Sequence, residues 1–222
     1  LDIGGESSRP GSVPISISEE KERVLPVIRA ASQFNIPLCV DTYKPEIMED
    51  AIDAGAVMIN DITGFNSEAG AQIVAKSDVA ACVMHMKGSP KNMQSEPIYA
   101  NVVDEVKKFL MSRISVLQAL GVQKDKIIVD PGIGFGKSFE HNIAIIKDLG
   151  KFAELECPLL IGLSRKSWLK GIIDRPAENR LHGSVAAALI AVQKGVNILR
   201  VHDVGATRDA LLVQEKLLTE DD

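Results

Sequence analysis

The sequence predicts an α/β fold, a (β/α)8 TIM barrel whose first strand and helix lie outside the 222 residues, on three observations. Short apolar runs recur along the whole chain, separated by helical patterns, at about 30 residues per unit, the usual size of a βα repeat. The runs are near-continuous rather than alternating, as strands covered on both faces are. Each run also ends in polar residues, and in a barrel such ends converge on one rim.

Taken in order, the first run spans 1–4 (LDIG) and falls into the loop GESSRPGS. A helix follows over 18–33, with a Ser cap and early acids. Strands are then expected over 36–41 (IPLCVD), 56–60 (AVMIN), 79–85 (VAACVMH), 126–130 (KIIVD), 158–162 (PLLIG) and 197–202 (NILRVH). Helices are expected over 45–54, 67–77, 101–120, 140–152, 178–194 and 207–218, with Gly55, Gly121 and Gly195 as helix stops. Seven strands with right-handed crossovers fit an open sheet or a barrel, and eight close a barrel. The sequence begins inside a strand, so the barrel reading places one more βα unit upstream of Leu1. No composition break or low-complexity linker divides the chain, and 1–222 reads as one domain.

The bulk numbers limit the function classes. An apolar fraction of 45% supplies a sizeable core, and 25% charged residues is a soluble globular value. A net charge of −5 argues against a nucleic-acid or anionic-membrane surface, while leaving room for a local cationic pocket. No window approaches a membrane span and no signal-peptide pattern is present. Cys39 and Cys82 sit inside apolar runs and read, with Cys157, as reduced thiols of a cytoplasmic protein.

The polar run ends sort by chemistry. Asp41, Asn60 and Asp130 are short acceptors behind apolar runs, and buried carboxylates must be paired or hydrogen-bonded. A heterocycle with an N–H and amino edge would satisfy them; so would a structural ion pair, with Lys166 as the partner. Ser8, Arg9, Arg200 and His202 form a set of cations and hydroxyl donors suited to a phosphate. Arg200 and His202 are two apart, on one face if both lie in the strand. The competing reading is a rim ion pair, with Asp203 as partner. DPGIGFGKS ends like a P-loop but has Pro131 where the motif needs Gly, so it reads as a sharp turn beside Phe135. The four histidines have no metal-ligand spacing, and no nucleophile elbow is present. Met84 and Trp168 are packing residues or ligand platforms.

Together these residues resemble the dihydropteroate synthase family, the folate-pathway enzymes that sulfonamides target. The stretches that carry the resemblance are GGESSRPGS, CVDTYKPE, INDITG, VMHMKGSPKNMQ, VDPGIGFGKSFEHN, LIGLSRKS and LRVHDV. The family joins 6-hydroxymethyl-7,8-dihydropterin diphosphate to 4-aminobenzoate, releasing pyrophosphate and 7,8-dihydropteroate. The resemblance implies that Asp41, Asn60 and Asp130 read the pterin edge, with Lys166 also on the pterin and Met84 and Gly162 lining its slot. It implies that Arg200 and His202 bind the diphosphate, helped by Ser8 and Arg9. Phe135, Ser164 and the Lys166 stem would border the aminobenzoate. Lys166, Asp130, Arg200 and His202 would carry the catalysis. Mg²⁺ would accompany the diphosphate, its protein ligand lying upstream of Leu1, and a homodimer is implied. A pterin-binding methyltransferase barrel working with a corrinoid partner, or a non-catalytic pterin-binding fragment, are the alternative readings.

Overall fold

The computed structural model describes residues 1–95 and 97–218. Among them strands and helices alternate in the order β1 (Asp2–Gly4), α1 (Ile17–Ala31), β2 (Cys39–Asp41), α2 (Pro45–Asp53), β3 (Met58–Asp61), α3 (Glu68–Lys76) and β4 (Ala80–Met84). Then come α4 (Val102–Ala119), β5 (Ile127–Asp130), α5 (Phe139–Lys147), β6 (Leu160–Ile161), α6 (Lys170–Ile173), α7 (Leu181–Gln193), β7 (Ile198–Leu199) and α8 (Val204–Leu218). All pairings are parallel, in the orders β1–β2–β3–β4–β5 and β6–β7, and a parallel bridge from Val129 to Leu159 joins the two sheets. Spatial order equals chain order, which is the single winding of a barrel wall and not the reversal of an open doubly wound sheet.

The local chemistry explains the element ends. Ser16, not Ser18, caps α1, its hydroxyl accepting from Glu19 N at 3.2 Å. Ser67 and Asn101 cap α3 and α4 in the same way, and Ser138 with His141 forms a capping box on α5. Gly55, Gly121 and Gly195 all stand at positive φ just past their helices, as the sequence predicts.

Three expected elements differ. The 140–152 helix ends at Lys147, and Leu149–Leu155 is a 3-10 helix. Leu149, Phe152 and Leu155 are all buried there, and their three-residue spacing suits the tighter winding. The 178–194 helix is broken at Arg180, whose guanidinium turns inward to donate to the carbonyls of Arg165, Lys166 and Arg175. The 197–202 strand is short: Arg200 N still bonds Ile161 O, after which the chain turns and His202 N reaches Ser164 Oγ. Arg200 and His202 therefore lie just beyond β7.

Two apolar layers hold the wall. The larger packs the outward strand residues, such as Val40, Ile59, Ala81, Val83 and Val129, against the helices. The smaller fills the inside with Met58, Ala80, Cys82, Ile128, Leu160 and Ile198. Glycine is required where the strand-end loops pack on one another. A Cβ on Gly132 (φ +69°) would stand 1.9 Å from His85 O, whereas one on Gly121 (φ +101°) would meet nothing within 4 Å. Gly121→Ala should therefore cost only the left-handed backbone penalty, about 1–2 kcal/mol. Gly132→Ala should cost at least about 2 kcal/mol beyond that through the forced backbone shift. Urea unfolding of the two variants checks this; equal costs would contradict the packing described.

Candidate active site

The site follows from the two-residue period of the strands. Met58 on β3 and Ala80 and Cys82 on β4 face the interior, so Asn60 and Met84 do too. By the same parity Ile128 places Asp130 inside, Leu160 places Gly162 inside, and Ile198 places Arg200 inside. Asp41 is the register partner of both Gly4 and Asn60. An apolar lower layer is thus topped by a polar one made of Asp41, Asn60, Asp130 and Arg200, with Gly162 leaving a gap. Asp61 has the opposite parity. Its buried carboxylate accepts from Thr63 N, Thr63 Oγ1 and Phe65 N at 2.7, 2.8 and 3.0 Å and fixes the turn after β3.

Charges compensate one another in this layer. Arg200 Nη2 donates to Asp41 Oδ2 at 2.7 Å, and its Nε pairs with Asp2, tying β7 to the first two strands. Burial still pushes the Asp41 carboxyl up to about 6, with Arg200 opposing. Asp130 is buried, and its Oδ1 accepts from Gly132 N at 2.7 Å. Burial raises its pKa and the Lys166 charge works against that. Burial in turn pushes Lys166 down to about 8, with Asp130 opposing. Among the described residues Lys166 makes no carboxylate ion pair; its ammonium donates to Ile133 O at 2.7 Å and lies 4.9 Å from the Phe135 ring centroid. A Cβ on Gly162 would stand 3.4 Å from Lys166 Nζ and 3.8 Å from Arg200 Cβ, so glycine keeps the space between those cations open. Met84 and Phe135 cluster with Ile62 and Met93 as an apolar wall, against which Tyr43 packs. Among the described residues, Asn60 Oδ1 is the one buried side-chain N or O atom without a hydrogen-bond partner.

The cationic end is built from Ser8, Arg9, Ser164, Arg200 and His202. Ser164 is buried, and its Oγ lies 3.1 Å from His202 Nδ1. Burial, then the charges of Arg165, Arg200 and Arg9, hold His202 below its ordinary range. Asp203 pairs with Arg165 (2.6 and 2.8 Å), not with Arg200 or His202. Ser8 borders a small cavity with Asp41, Tyr43 and Ile62. Arg9 is exposed, and among the described residues its guanidinium has no ion-pair partner. Trp168 is packing: its Nε1 donates to Leu163 O. No three His, Cys, Asp or Glu among the described residues converge to hold a metal ion. With this end cationic, these residues do not fit a divalent ion.

Sequence reasoning missed the support beneath the glycine-rich turn. Lys137 is 2% exposed. Its ammonium donates to Gly132 O and Phe135 O at 2.9 and 3.0 Å and lies 2.9 Å from His85 Nδ1. Lys137 therefore faces into its own loop, away from any phosphate, in accord with the rejected P-loop reading. Burial and the Lys137 charge push His85 down to about 3, and burial pushes Lys137 down to about 7. The proton stays on the lysine and the imidazole accepts. The only sequence signal was a lone Lys closing a glycine-rich turn.

Comparison with known proteins bears on this geometry. The model of a family described as pterin binding enzyme matches residues 1–202. The dihydropteroate synthase of Escherichia coli strain K12 is 40% identical over 220 residues, covering 99% of this chain and 78% of the relative. The solved dihydropteroate synthase of Xanthomonas albilineans with 4-aminobenzoic acid is 43% identical, with TM-score 0.95, over 100% of this chain and 80% of that one. The Burkholderia cenocepacia enzyme complexed with 7,8-dihydropteroate is 45% identical, with TM-score 0.92, over 98% of this chain and 80% of that one.

The neutral His85 gives a pH dependence with a defined sign. Its folded pKa lies below the unfolded value, so the unfolded chain binds the extra proton and stability falls as pH drops from about 6.5 toward 3. Between pH 6.5 and 5.0 this amounts to as much as ~2 kcal/mol. His85→Asn keeps an acceptor for Lys137 but cannot titrate. Its urea midpoint should fall less over that interval than the wild type's, and identical falls would contradict a neutral buried His85.

Proposed function

The chain belongs to the pterin-binding enzyme family and, within it, to the dihydropteroate synthases, and on that premise we propose how its residues divide the work. The reaction is a transfer: the bond from the pterin methylene carbon to the diphosphate oxygen breaks, and a bond from that carbon to the nitrogen of 4-aminobenzoate forms. The observation that carries the assignment is Asn60 Oδ1, a buried acceptor without a donor, in the layer that also holds the buried Asp130 and the half-buried Asp41. An unsatisfied buried acceptor is costly, and a ring edge of N–H and amino donors removes that cost. Asp41, Asn60 and Asp130 would read that edge, while Lys166 donates to a ring acceptor. Met84 and Phe135 would cover the ring face, with Gly162 leaving it room.

The diphosphate would sit at the cationic end. Arg200 uses two of its five N–H donors on Asp2 and Asp41, which leaves three for phosphate oxygens. His202, held low by burial and then by neighbouring cations, would gain its proton beside an anion. Ser8 and Arg9 would close over the same group and, with Phe135, Ser164 and the Lys166 stem, border the aminobenzoate. Neutralised pyrophosphate is a good leaving group, so C–O cleavage can run ahead of attack. The carboxylates around the ring would then favour the cationic methylene carbon. Pyrophosphate can accept the proton that the amine loses, and no side chain is needed as general base.

Magnesium, if it takes part, would come in on the diphosphate oxygens and not in a cage of these residues; no step above runs through it. The chain would act as one domain and as a homodimer through its outer helices, where Ile190 on α7 and Leu212 and Val213 on α8 are exposed. The three free cysteines support a cytoplasmic setting. No helix among the described residues is long and apolar enough to cross a membrane.

Asp130→Asn and Lys166→Ala should each weaken pterin binding by about tenfold or more, since each removes a charge-assisted hydrogen bond. Calorimetric titration with a pterin lacking the diphosphate measures this, and near-normal affinity in both variants would overturn the assignment.

A further inference from the structure

One largely buried polar cluster borders the site and has been given no role so far. Glu6, Thr42, Tyr43, Lys44 and Glu20 form a closed network around the base of the loop that carries Ser8 and Arg9. The Glu6 carboxylate accepts from Tyr43 OH at 2.7 Å, from Lys44 Nζ at 2.7 Å and from Ile15 N at 2.9 Å. Lys44 spends its other two donors on Ile15 O at 2.7 Å and Glu20 Oε2 at 2.6 Å. Glu20 is 1% exposed, and its second oxygen accepts from Thr42 Oγ1 at 2.8 Å.

The geometry is that of a loop fastened at its neck. Residue 6 enters the loop and residue 15 leaves it, and Ile15 is held by both its N–H and its carbonyl. Among the described residues no backbone pair links the two ends; the side chains of Glu6 and Lys44 link them, and Arg23 Nη1 holds Gly5 O at 2.9 Å beside them. Beyond the neck the loop makes a turn over Arg9–Ser12, with Gly11 at φ +81° and Ser12 N donating to Arg9 O at 3.0 Å. Its tip reaches the loop after β4 through Gly11 N to Pro90 O at 2.8 Å. The Tyr43 ring packs on the cluster of Ile62, Met84, Met93 and Phe135, so the neck is joined to the apolar wall of the slot. A half-buried carboxylate with three donors is held in one orientation, and withdrawing a donor costs stability.

We propose that Glu6 is a positioning residue for the transfer reaction: it fixes the neck of the 7–14 loop so that Ser8 and Arg9 meet the aminobenzoate and the diphosphate. This rests on the reading of Ser8 and Arg9 given above. Glu6 touches no reacting atom. Tyr43 is the second anchor, carrying the position of the slot wall to the loop through its hydroxyl.

Steady-state kinetics and calorimetry on the folded enzyme test it. Glu6→Gln should raise the KM for 4-aminobenzoate by about tenfold or more, the effect of losing charged hydrogen bonds. Its affinity for a pterin without diphosphate should stay within about twofold of wild type, because the ring-reading residues are untouched. Tyr43→Phe should move the same KM in the same direction by a smaller factor, and it serves as the test if Glu6→Gln does not fold. Arg9→Ala supplies the reference. If Arg9→Ala leaves the aminobenzoate KM unchanged, the reading of the loop fails. If Arg9→Ala raises it while Glu6→Gln and Tyr43→Phe do not, the present inference fails and the reading of the loop stands. The double variant Glu6→Gln/Arg9→Ala should be little worse than Arg9→Ala alone, since the neck acts through what the loop presents. Full additivity, or an equal loss of pterin affinity, would overturn the positioning role.

Discussion

The constraint on which the rest depends is the parity of the strands. A parallel strand in a closed wall has one face toward the helices and one toward the interior, and successive residues alternate between them. The wall is covered on both sides, so most positions must be apolar. The chain departs from this at the last inward position of β2, β3 and β5 and at Arg200 just past β7, which carry Asp41, Asn60, Asp130 and Arg200. A one-residue slip in any of these strands would send its polar group into the helix-facing core and bring an apolar residue to the mouth. Asp61 shows the alternative use of a carboxylate at the same height. Facing outward, it ties down the turn behind β3.

Charge placed in a dry interior must be answered, and the answers are local. Arg200 holds Asp41 and Asp2, Gly132 N–H holds Asp130, and Lys137 answers the carbonyls of the glycine-rich turn. These bonds are made without any ligand, so the residues they fix are already oriented when one arrives. Among the described residues Asn60 Oδ1 is the buried exception, and in the proposed function a donor from the bound ring would complete it.

Sequence patterns disclosed most of this architecture and only part of its support. The continuous apolar runs located the strands to within a few residues, because burial on both faces leaves no ambiguity of composition. The polar run ends located the inward layer for the same reason. Lys137, His85, Glu6, Tyr43 and Lys44 were not legible. A lysine inside a glycine-rich turn, or a glutamate before a hydroxyl-rich loop, reads as an ordinary polar residue until the backbone folds around it. Asp203 was a plausible partner for Arg200 by proximity in sequence, yet it went to Arg165, whose left-handed backbone (φ 57°) turns its guanidinium toward Asp203. The breaks at Lys147 and Arg180 were hidden because helical composition continues across them, while tertiary hydrogen bonds and a three-residue apolar spacing decide the geometry.

The two halves of the site differ in how they are anchored, and that difference fits the chemistry. The half proposed to read the ring stands on strands and on a turn clamped by an ammonium, so its atoms are placed by the barrel itself. The Ser8 and Arg9 half stands on a loop fastened by side chains at its neck, at residues 6 and 15, and by one backbone bond at its tip. In the proposed function the strand-borne groups would hold the ring that carries developing positive charge, where a misplacement of the carboxylates would cost transition-state stabilisation directly. The proposed function thus places the ring where strands fix the surrounding groups, and the second substrate where side chains at a loop neck do.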